Sequence, residues 1–304
     1  MTIGDSCSTK PTPVNMFTRP SVVRAWLREA NIRPNRLLGQ NFLIDGNILH
    51  LLLESADVSS GDHVLEVGPG VGGLTAGLLD RGARVLAVEK DERLLPLLEM
   101  HLGAHAGFQL VAGDALSVVP DALARNHITK MIANLPYTPG TRILVDVATS
   151  ERRPERIVVM VQDEVANRIT ATPGTSAFGM LSLWCRVFYD VRYIKRVGPN
   201  CFWPRPKVDS AIVLFDRLSD PLLPADGWFY FRALTKHLFQ QRRKQMGHVL
   251  RMLHDEGVLG VNGVDFLTPD QQRLRPEAVP LDVWCRLSEN MRMHEDKNTK
   301  DCGE

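Results

Sequence analysis

The sequence predicts an α/β fold in which a mostly parallel sheet, covered by helices on both faces, is followed by a small helical domain. Three observations carry that expectation. Short apolar runs at His63–Gly68, Arg84–Glu89, Phe108–Ala112, Lys130–Ala133 and Arg156–Val161 alternate with helix-compatible stretches, the pattern of βαβ units. The first run leads into Gly68-Pro69-Gly70-Val71-Gly72-Gly73 and then the apolar segment Leu74–Leu79, which reads as strand, glycine turn and helix start. Beyond Leu218–Gly227, a segment holding Pro221, Pro224 and Gly227, the periodicity becomes helical, with Phe231, Leu234 and Leu238 on one face.

The 304 residues suit one large domain and one smaller one, and 44% hydrophobic with 23% charged residues is an ordinary globular composition. A net charge of +1 excludes global basicity as a sign of nucleic acid, so any such partner must be met by a local patch. Cys7, Cys185, Cys201, Cys285 and Cys302 are scattered, with no C-x-x-C pair and no metal-like spacing with histidine. They read as reduced thiols in a cytoplasmic protein, with no metal expected. Met1–Asn15 is rich in Ser, Thr and Pro without an apolar stretch, so it reads as neither signal peptide nor anchor, and no run reaches the roughly 18 apolar residues of a membrane span. Residues 1–19 are expected to be a disordered lead and 291–304 a disordered tail, with domains at 20–217 and 218–290.

Taken in order, Pro20–Ala30 is a helix with Val23, Trp26, Leu27 and Ala30 on one face. Gly39–Asp45 is too polar and too interrupted by glycine for a core strand, and reads as a loop pinned by Phe42 and Leu43. Helices are expected at Asn47–Ser55, Arg93–Leu102, Leu144–Thr149 and Met180–Phe188. The β-rich runs Val191–Val197 and Ser210–Phe215 lack an intervening helix and should close the sheet as an antiparallel pair. Two prolines and two adjacent aromatics make Cys201–Ala211 a rigid loop presenting ring faces.

Candidate chemistry centres on Asn134-Leu135-Pro136-Tyr137, just past the apolar strand Met131–Ala133 and therefore at the carboxyl edge where open parallel sheets bind ligands. A side-chain amide, a proline-fixed bend exposing carbonyls and an aromatic face together complement a planar base bearing an amine. On composition alone the tetrad reads as a strand-to-loop turn. Gly68, Gly70 and Gly73 satisfy G-x-G-x-x-G, and Glu89 closes the next strand at the distance of a ribose-binding acid, which keeps a nicotinamide enzyme open. Asp114 ends the third strand, where a carboxylate can meet an adenine amine or simply cap a helix. Asp163 and Glu164 are adjacent, so on a helix they diverge and are not read as an acid-base pair. From Trp228 to His254 there is no acidic residue, while Arg232, Lys236, Arg242, Arg243, Lys244 and Arg251 are cationic, which leaves a face for phosphate.

Several segments carry a resemblance. Glu66-Val67-Gly68-Pro69-Gly70 looks like the E-x-G-x-G loop of S-adenosylmethionine methyltransferases, and Asn134-Leu135-Pro136-Tyr137 is similar to the catalytic motif of their amino-methylating members. Gly39-Gln40-Asn41-Phe42-Leu43, Gly113-Asp114-Ala115, Gln162–Arg168, Phe202–Ala211 (F-x-P-x-P-K-V-D-S-A) and Phe239–Lys244 (F-x-Q-R-R-K) all resemble segments of the small-subunit ribosomal RNA adenine dimethyltransferases. The likeness covers about Arg36–Leu287. It implies a Rossmann-like S-adenosylmethionine methyltransferase sheet with a small C-terminal helical domain that binds RNA. The implied reaction gives two adjacent adenosines, in the 3′-terminal hairpin of small-subunit rRNA, methyl groups on N6. S-adenosylhomocysteine is the product, and the substrate sits within a pre-ribosomal particle. A monomer without metal or membrane is implied.

By the same resemblance Gln40, Asn41, Leu43, Gly68, Gly70, Glu89, Asp114, Ala115 and Asn134 bind the cofactor. Asn134 and Leu135 accept the amine protons, Pro136 fixes the bend, and Tyr137 and Phe202 hold the base. Lys207, Arg242, Arg243 and Lys244 meet RNA, the last three from one helix. The chain departs from the family at Thr138-Pro139-Gly140-Thr141, where Asn and a Ser/Thr pair are usual, and at Trp203, where a small residue is usual. A large-subunit rRNA methyltransferase is the nearest rival, disfavoured by Lys207–Ser210 and Gln241–Lys244. A non-catalytic assembly or transcription factor would be expected to lose Asn134 or the glycines. An oxidoreductase would need a hydride-transfer domain that the sequence does not offer.

Overall fold

A computed structural model describes residues 12–35, 38–224 and 226–301. The chain divides into two compact units, one made of Met1–Ala166 with Arg192–Phe215 and the other of Asn167–Val191 with Asp216–Glu304.

In the first unit, strands β2 (His63–Val67), β3 (Arg84–Glu89), β4 (Phe108–Ala112), β5 (Lys130–Asn134) and β6 (Arg156–Gln162) are joined by parallel pairing. With β7 (Tyr189–Val197) and β9 (Ser210–Arg217) they form one seven-stranded sheet in the order β4-β3-β2-β5-β6-β9-β7. The chain runs outward from β2 through β3 and β4, then returns to β5 on the other side of β2. That reversal opens a crevice beyond the strands' carboxyl ends, the place where such sheets take ligands. Val64, Leu65, Val85, Ala87, Ile132 and Val158 are buried on the strands, as a sheet covered on both faces requires.

Helices α3 (Gly46–Ala56), α4 (Gly73–Asp80), α5 (Leu95–Leu102), α6 (Ala115–Arg125) and α7 (Gly140–Ala148) alternate with these strands, and α8 (Asp163–Thr170) follows β6. Each begins where local chemistry permits: Asp45 accepts from the amides of Asn47 and Ile48 at α3, and Asp114 accepts from Leu116 at α6. Helix α6 starts at the Asp114 cap and runs on through Pro120, which lies inside it.

Residues 12–19 are not the disordered lead expected of them. Helices α1 (Val14–Phe17) and α2 (Pro20–Glu29) pack on the sheet domain, and Phe17 has 0% exposure. Its ring meets Trp26 at 5.2 Å and His101 at 5.8 Å, edge to face. It fills the space beside Gly73, where a Cβ would lie 3.1 Å from that of Phe17. The expectation of disorder at 1–11 falls outside the described residues.

A second difference is a two-stranded sheet in which β1 (Phe42–Leu43) pairs antiparallel with β8 (Phe202–Trp203). Two residues are too few for periodicity to announce a strand, and only the fold brings these segments together.

In the second unit, α9 (Met180–Arg186), α10 (Gly227–Gln240), α11 (Met246–Asp255), α12 (Pro269–Arg273) and α13 (Leu281–Asp301) build their own core. Trp184 donates its indole N–H to Thr235 Oγ1 at 2.9 Å, and the Phe239 ring stacks on Trp284 at 5.5 Å. Asn167–Val191, assigned by sequence to the 20–217 domain, clusters with these helices, and the Leu218 amide bonds to the Phe188 carbonyl at 2.9 Å. Residues 291–301, assigned to a disordered tail, continue α13 and bury Met291, while 302–304 lie outside the described residues. No helix among the described residues is long and apolar enough to cross a membrane.

Candidate active site

The sheet's crevice is a cleft of about 320 Å³ lined by residues from the ends of β2, β3, β4 and β5 and by the Gly39–Leu43 segment. Its floor is the glycine turn. Gly70 has φ +60°, and a Cβ there would come within 2.9 Å of the Phe42 ring. Only glycine allows both that dihedral and that contact. Gly68 lines the same wall, with φ +70°.

Glu89 ends β3 at 6% exposure. Its carboxylate accepts from the Gly70 amide at 3.3 Å and the Asp91 amide at 2.8 Å, which joins the strand end to the turn. Burial pushes its pKa above the ordinary value, against the two amides that favour the charged form. Asp114 sits across the cleft. Lys90 binds it at 2.7 Å and is the main reason that its carboxyl is held below the usual range. Asp114 also caps α6, as the helix-cap reading expects, while it and the following Ala115 line the cleft.

Gln40 donates to Asp91 at 2.8 Å and accepts from the Asn35 amide at 2.7 Å, which fixes the loop over the cleft. Asp91 is itself gripped by both ends of the Arg93 guanidinium, at 2.8 and 2.7 Å. Asn41 turns its side chain to the Gly39 carbonyl at 3.0 Å, and its own carbonyl accepts from Asn134 Nδ2 at 3.1 Å. Leu43, on β1, lines the cleft beside it.

The tetrad lies where β5 ends. A carbonyl can only accept, so Asn41 fixes the Asn134 amide with its NH₂ inward, and among the described residues Asn134 Oδ1 has no hydrogen-bond partner. The Leu135 side chain is buried and its amide bonds to Met160, but its carbonyl accepts nothing among the described residues. The neighbouring Pro136 carbonyl is taken by the Gly140 amide at 2.8 Å, which starts α7 directly behind the tetrad. A Cβ at Gly140 would stand 2.9 Å from Leu135 Cβ, so the departure at Thr138–Thr141 gives α7 a close approach to the tetrad. Tyr137 lines the cleft and shares a 2.7 Å hydrogen bond with Ser210 Oγ. Burial, chiefly, raises its phenol pKa.

Some assignments do not come together as the sequence suggested. Phe202 is 3% exposed, inside the core beside β1, and does not line the cleft. Its ring belongs to the buried cluster that also holds Phe42, Val197 and Ile212. Trp203 stacks with Phe42 at 6.5 Å and carries the Arg24 guanidinium on its face at 5.7 Å, so it packs rather than reshapes the pocket. Arg242, Arg243 and Lys244 are not on a helix, because α10 stops at Gln240 and α11 starts at Met246. Arg242 is also internally engaged, with the Ser176 carbonyl at 3.1 Å and Glu277 at 3.8 Å. Arg243 and Lys244 are exposed on that turn, and Lys207 is exposed between β8 and β9.

Two charged cleft residues carry no site assignment from the sequence, although Glu66 opens the E-x-G-x-G segment. Glu66 lines the cleft at 1% exposure and accepts from Thr75 Oγ1 at 2.7 Å. Burial, with a smaller push from Glu89, raises its pKa to about 8. A lone acid in an otherwise apolar strand was the available signal. Lys90, partner of Asp114, had none beyond following Glu89. Among the described residues no group of three or more His, Cys, Asp or Glu is placed to hold a metal ion.

Residues 31–270 match the family described as ribosomal RNA adenine dimethylase. A protein of Opitutus terrae named ribosomal RNA small subunit methyltransferase A is 40% identical over 278 residues, 88% of this chain and 97% of that one. Among solved structures, a dimethyladenosine transferase from Plasmodium falciparum superposes with a TM-score of 0.72 at 23% identity, covering 83% of this chain and 97% of the other. The 23S rRNA methyltransferase ErmE superposes with a TM-score of 0.61 at 25% identity, covering 83% and 100%. The match spans the glycine turn, the acid-ended strands and the tetrad alike, and the chain therefore belongs to the ribosomal RNA adenine dimethylase family, with the Rossmann-like methyltransferase fold.

Proposed function

We propose that this protein dimethylates N6 of two adjacent adenosines in the 3′-terminal hairpin of small-subunit rRNA. It acts as a cytoplasmic monomer on a pre-ribosomal particle, with S-adenosylmethionine as methyl donor and no metal. One observation carries the chemistry: Asn134 donates from its NH₂ to the Asn41 carbonyl, which turns Oδ1 away from that bond and leaves it and the adjacent Leu135 carbonyl as two acceptors at the cleft. Two adjacent acceptors suit the two N–H groups of an amine.

An exocyclic adenine nitrogen is a poor nucleophile because its lone pair is delocalised into the ring. Hydrogen bonds from both of its N–H groups to these oxygens draw the nitrogen toward tetrahedral geometry and free the pair, and the nitrogen, made cationic by methylation, then loses one proton to solvent. No side-chain base has to remove a proton first. Tyr137 supplies a ring face for a flipped-out base, an interaction of about 1–3 kcal/mol. Proximity and orientation by these groups provide most of the acceleration.

The donor set fits S-adenosylmethionine. Glu89 is oriented by the Gly70 and Asp91 amides to take a ribose hydroxyl pair, and Asp114, kept ionised by Lys90, can take an adenine amine. Gln40, Asn41, Leu43, Gly68 and Ala115 line or brace the same cleft. When bound, S-adenosylmethionine supplies an electrophilic methyl group on its sulfonium.

The small-subunit assignment is supported by the name of the Opitutus terrae relative and by the Lys207–Ser210 and Gln241–Lys244 segments. Likeness to ErmE favours a large-subunit reading instead. Purified protein offered undermethylated small and large subunits separately should place dimethyladenosine, read by nucleoside mass spectrometry, only in the small-subunit RNA. Labelling confined to large-subunit RNA would overturn the assignment.

A further inference from the structure

Ser210 is fully buried at the first position of β9, yet its side chain is polar. Among the described residues its hydroxyl has one hydrogen-bond partner, the Tyr137 phenol at 2.7 Å. The position of this hydroxyl is set from both sides, because β9 lies between β6 and β7. The preceding Asp209 gives its carbonyl to the amide of Asp163, the residue after β6, at 3.0 Å. Its carboxylate binds Arg196 on β7. Asp163 in turn accepts the hydroxyl of Tyr193, also on β7, at 2.6 Å.

Tyr137 has no comparable framework of its own. It follows a proline in a turn, and its half-buried ring lines the cleft while the phenol tip reaches Ser210. A tyrosine ring has two free torsions; a hydrogen bond at its tip fixes the direction in which the ring points, and the preference of the phenol O–H for the ring plane biases its tilt. Burial keeps the phenol protonated at working pH, so this bond orients rather than carries a proton.

We infer that Ser210 is a positioning residue for methyl transfer: its hydroxyl, clamped between two strands, holds the Tyr137 ring at the angle that receives the target base. The K-V-D-S segment thus serves the tetrad from behind the pocket. The inference rests on the proposed stacking of Tyr137.

The test compares Ser210→Ala, Tyr137→Phe, their double variant and Tyr137→Ala, each on small-subunit RNA. Ser210→Ala and Tyr137→Phe delete the same bond from opposite ends, and a net hydrogen bond is worth roughly three- to tenfold in kcat. The double variant should be no slower than either single one. S-adenosylhomocysteine affinity should stay at the wild-type value. Fluorescence of RNA carrying 2-aminopurine at the target position should be quenched less in both single variants than in the wild type. Tyr137→Phe removes one oxygen from a partly exposed site, so it reports on the bond even if Ser210→Ala folds poorly. Multiplicative losses, or wild-type turnover and quenching in Tyr137→Phe, would overturn the inference alone. Wild-type turnover in Tyr137→Ala would overturn the stacking reading as well.

Discussion

The side-chain amide of Asn134 and the backbone carbonyl of Asn41 are joined by a 3.1 Å hydrogen bond across 93 positions of the chain. It ties the tetrad to the Gly39–Leu43 segment and decides which end of the amide is left for substrate.

Asn134→Ala is expected to lose kcat by about two to three orders of magnitude, as loss of one preorganised polar group in a reaction site does, while RNA binding persists. Single-turnover methylation beside a filter-binding assay checks it. Near wild-type turnover would return the tetrad to the role of a turn.

Glu89→Ala removes a charge-assisted acceptor and loosens its hold on Gly70, so S-adenosylhomocysteine affinity should fall roughly tenfold or more. In the wild type, burial raises the Glu89 pKa, so the carboxylate is lost at a higher pH than an ordinary glutamate. Cofactor affinity should therefore decline on acidification through that raised pKa and level off above it. Calorimetry across pH measures both effects.

Glu66 links stability to pH in a defined direction. Its ordinary value is 4.5 and its folded value about 8, so between them the folded state holds a proton that the unfolded chain has released. Stability from this group is complete below 4.5 and is lost as pH rises toward about 8. Glu66→Gln keeps an acceptor for Thr75 and removes the titration. Its melting temperature should fall less than that of the wild type over this window, which thermal scans in a buffer series will show.

Arg242, Arg243 and Lys244 are all exposed, but Arg242 is also held by the Ser176 carbonyl and Glu277. Replacing Arg243 and Lys244 with Gln should reduce the slope of log affinity against log salt by about two, and adding Arg242→Gln should change it little further. Salt titrations of RNA binding distinguish the three cations. A solvated face without RNA contact would leave the slope unmoved.

Phe17→Ala opens a cavity beside Gly72 and Gly73 and is expected to cost about 3–5 kcal/mol of stability. Denaturant unfolding reads the loss directly. A value near zero would mean that α1 contributes little to the fold around the glycine turn.

What the chain announces locally is what depends on near neighbours. Arg84–Glu89 begins and ends as a strand where its apolar run does, because the burial of this inner strand is written in consecutive side chains; Phe108–Ala112, at the sheet edge, keeps its predicted bounds through its β-forming side chains with none of the five buried. The cleft residues Gly70, Glu89, Asp114 and Asn134 were legible for a related reason. Each stands at a strand's carboxyl end, and the alternation of strands with helices places those ends on one edge.

Tertiary structure alone decided which of these groups face each other and which are already engaged. It buried Phe202 against β1, and it gave Arg242 two partners within its own unit. It also set Ser210 behind Tyr137 and drew Phe17 beneath the glycine turn. Propensity and periodicity reach only a few residues along a chain, whereas these contacts join positions far apart and exist only once the sheet has brought them within hydrogen-bonding or van der Waals range.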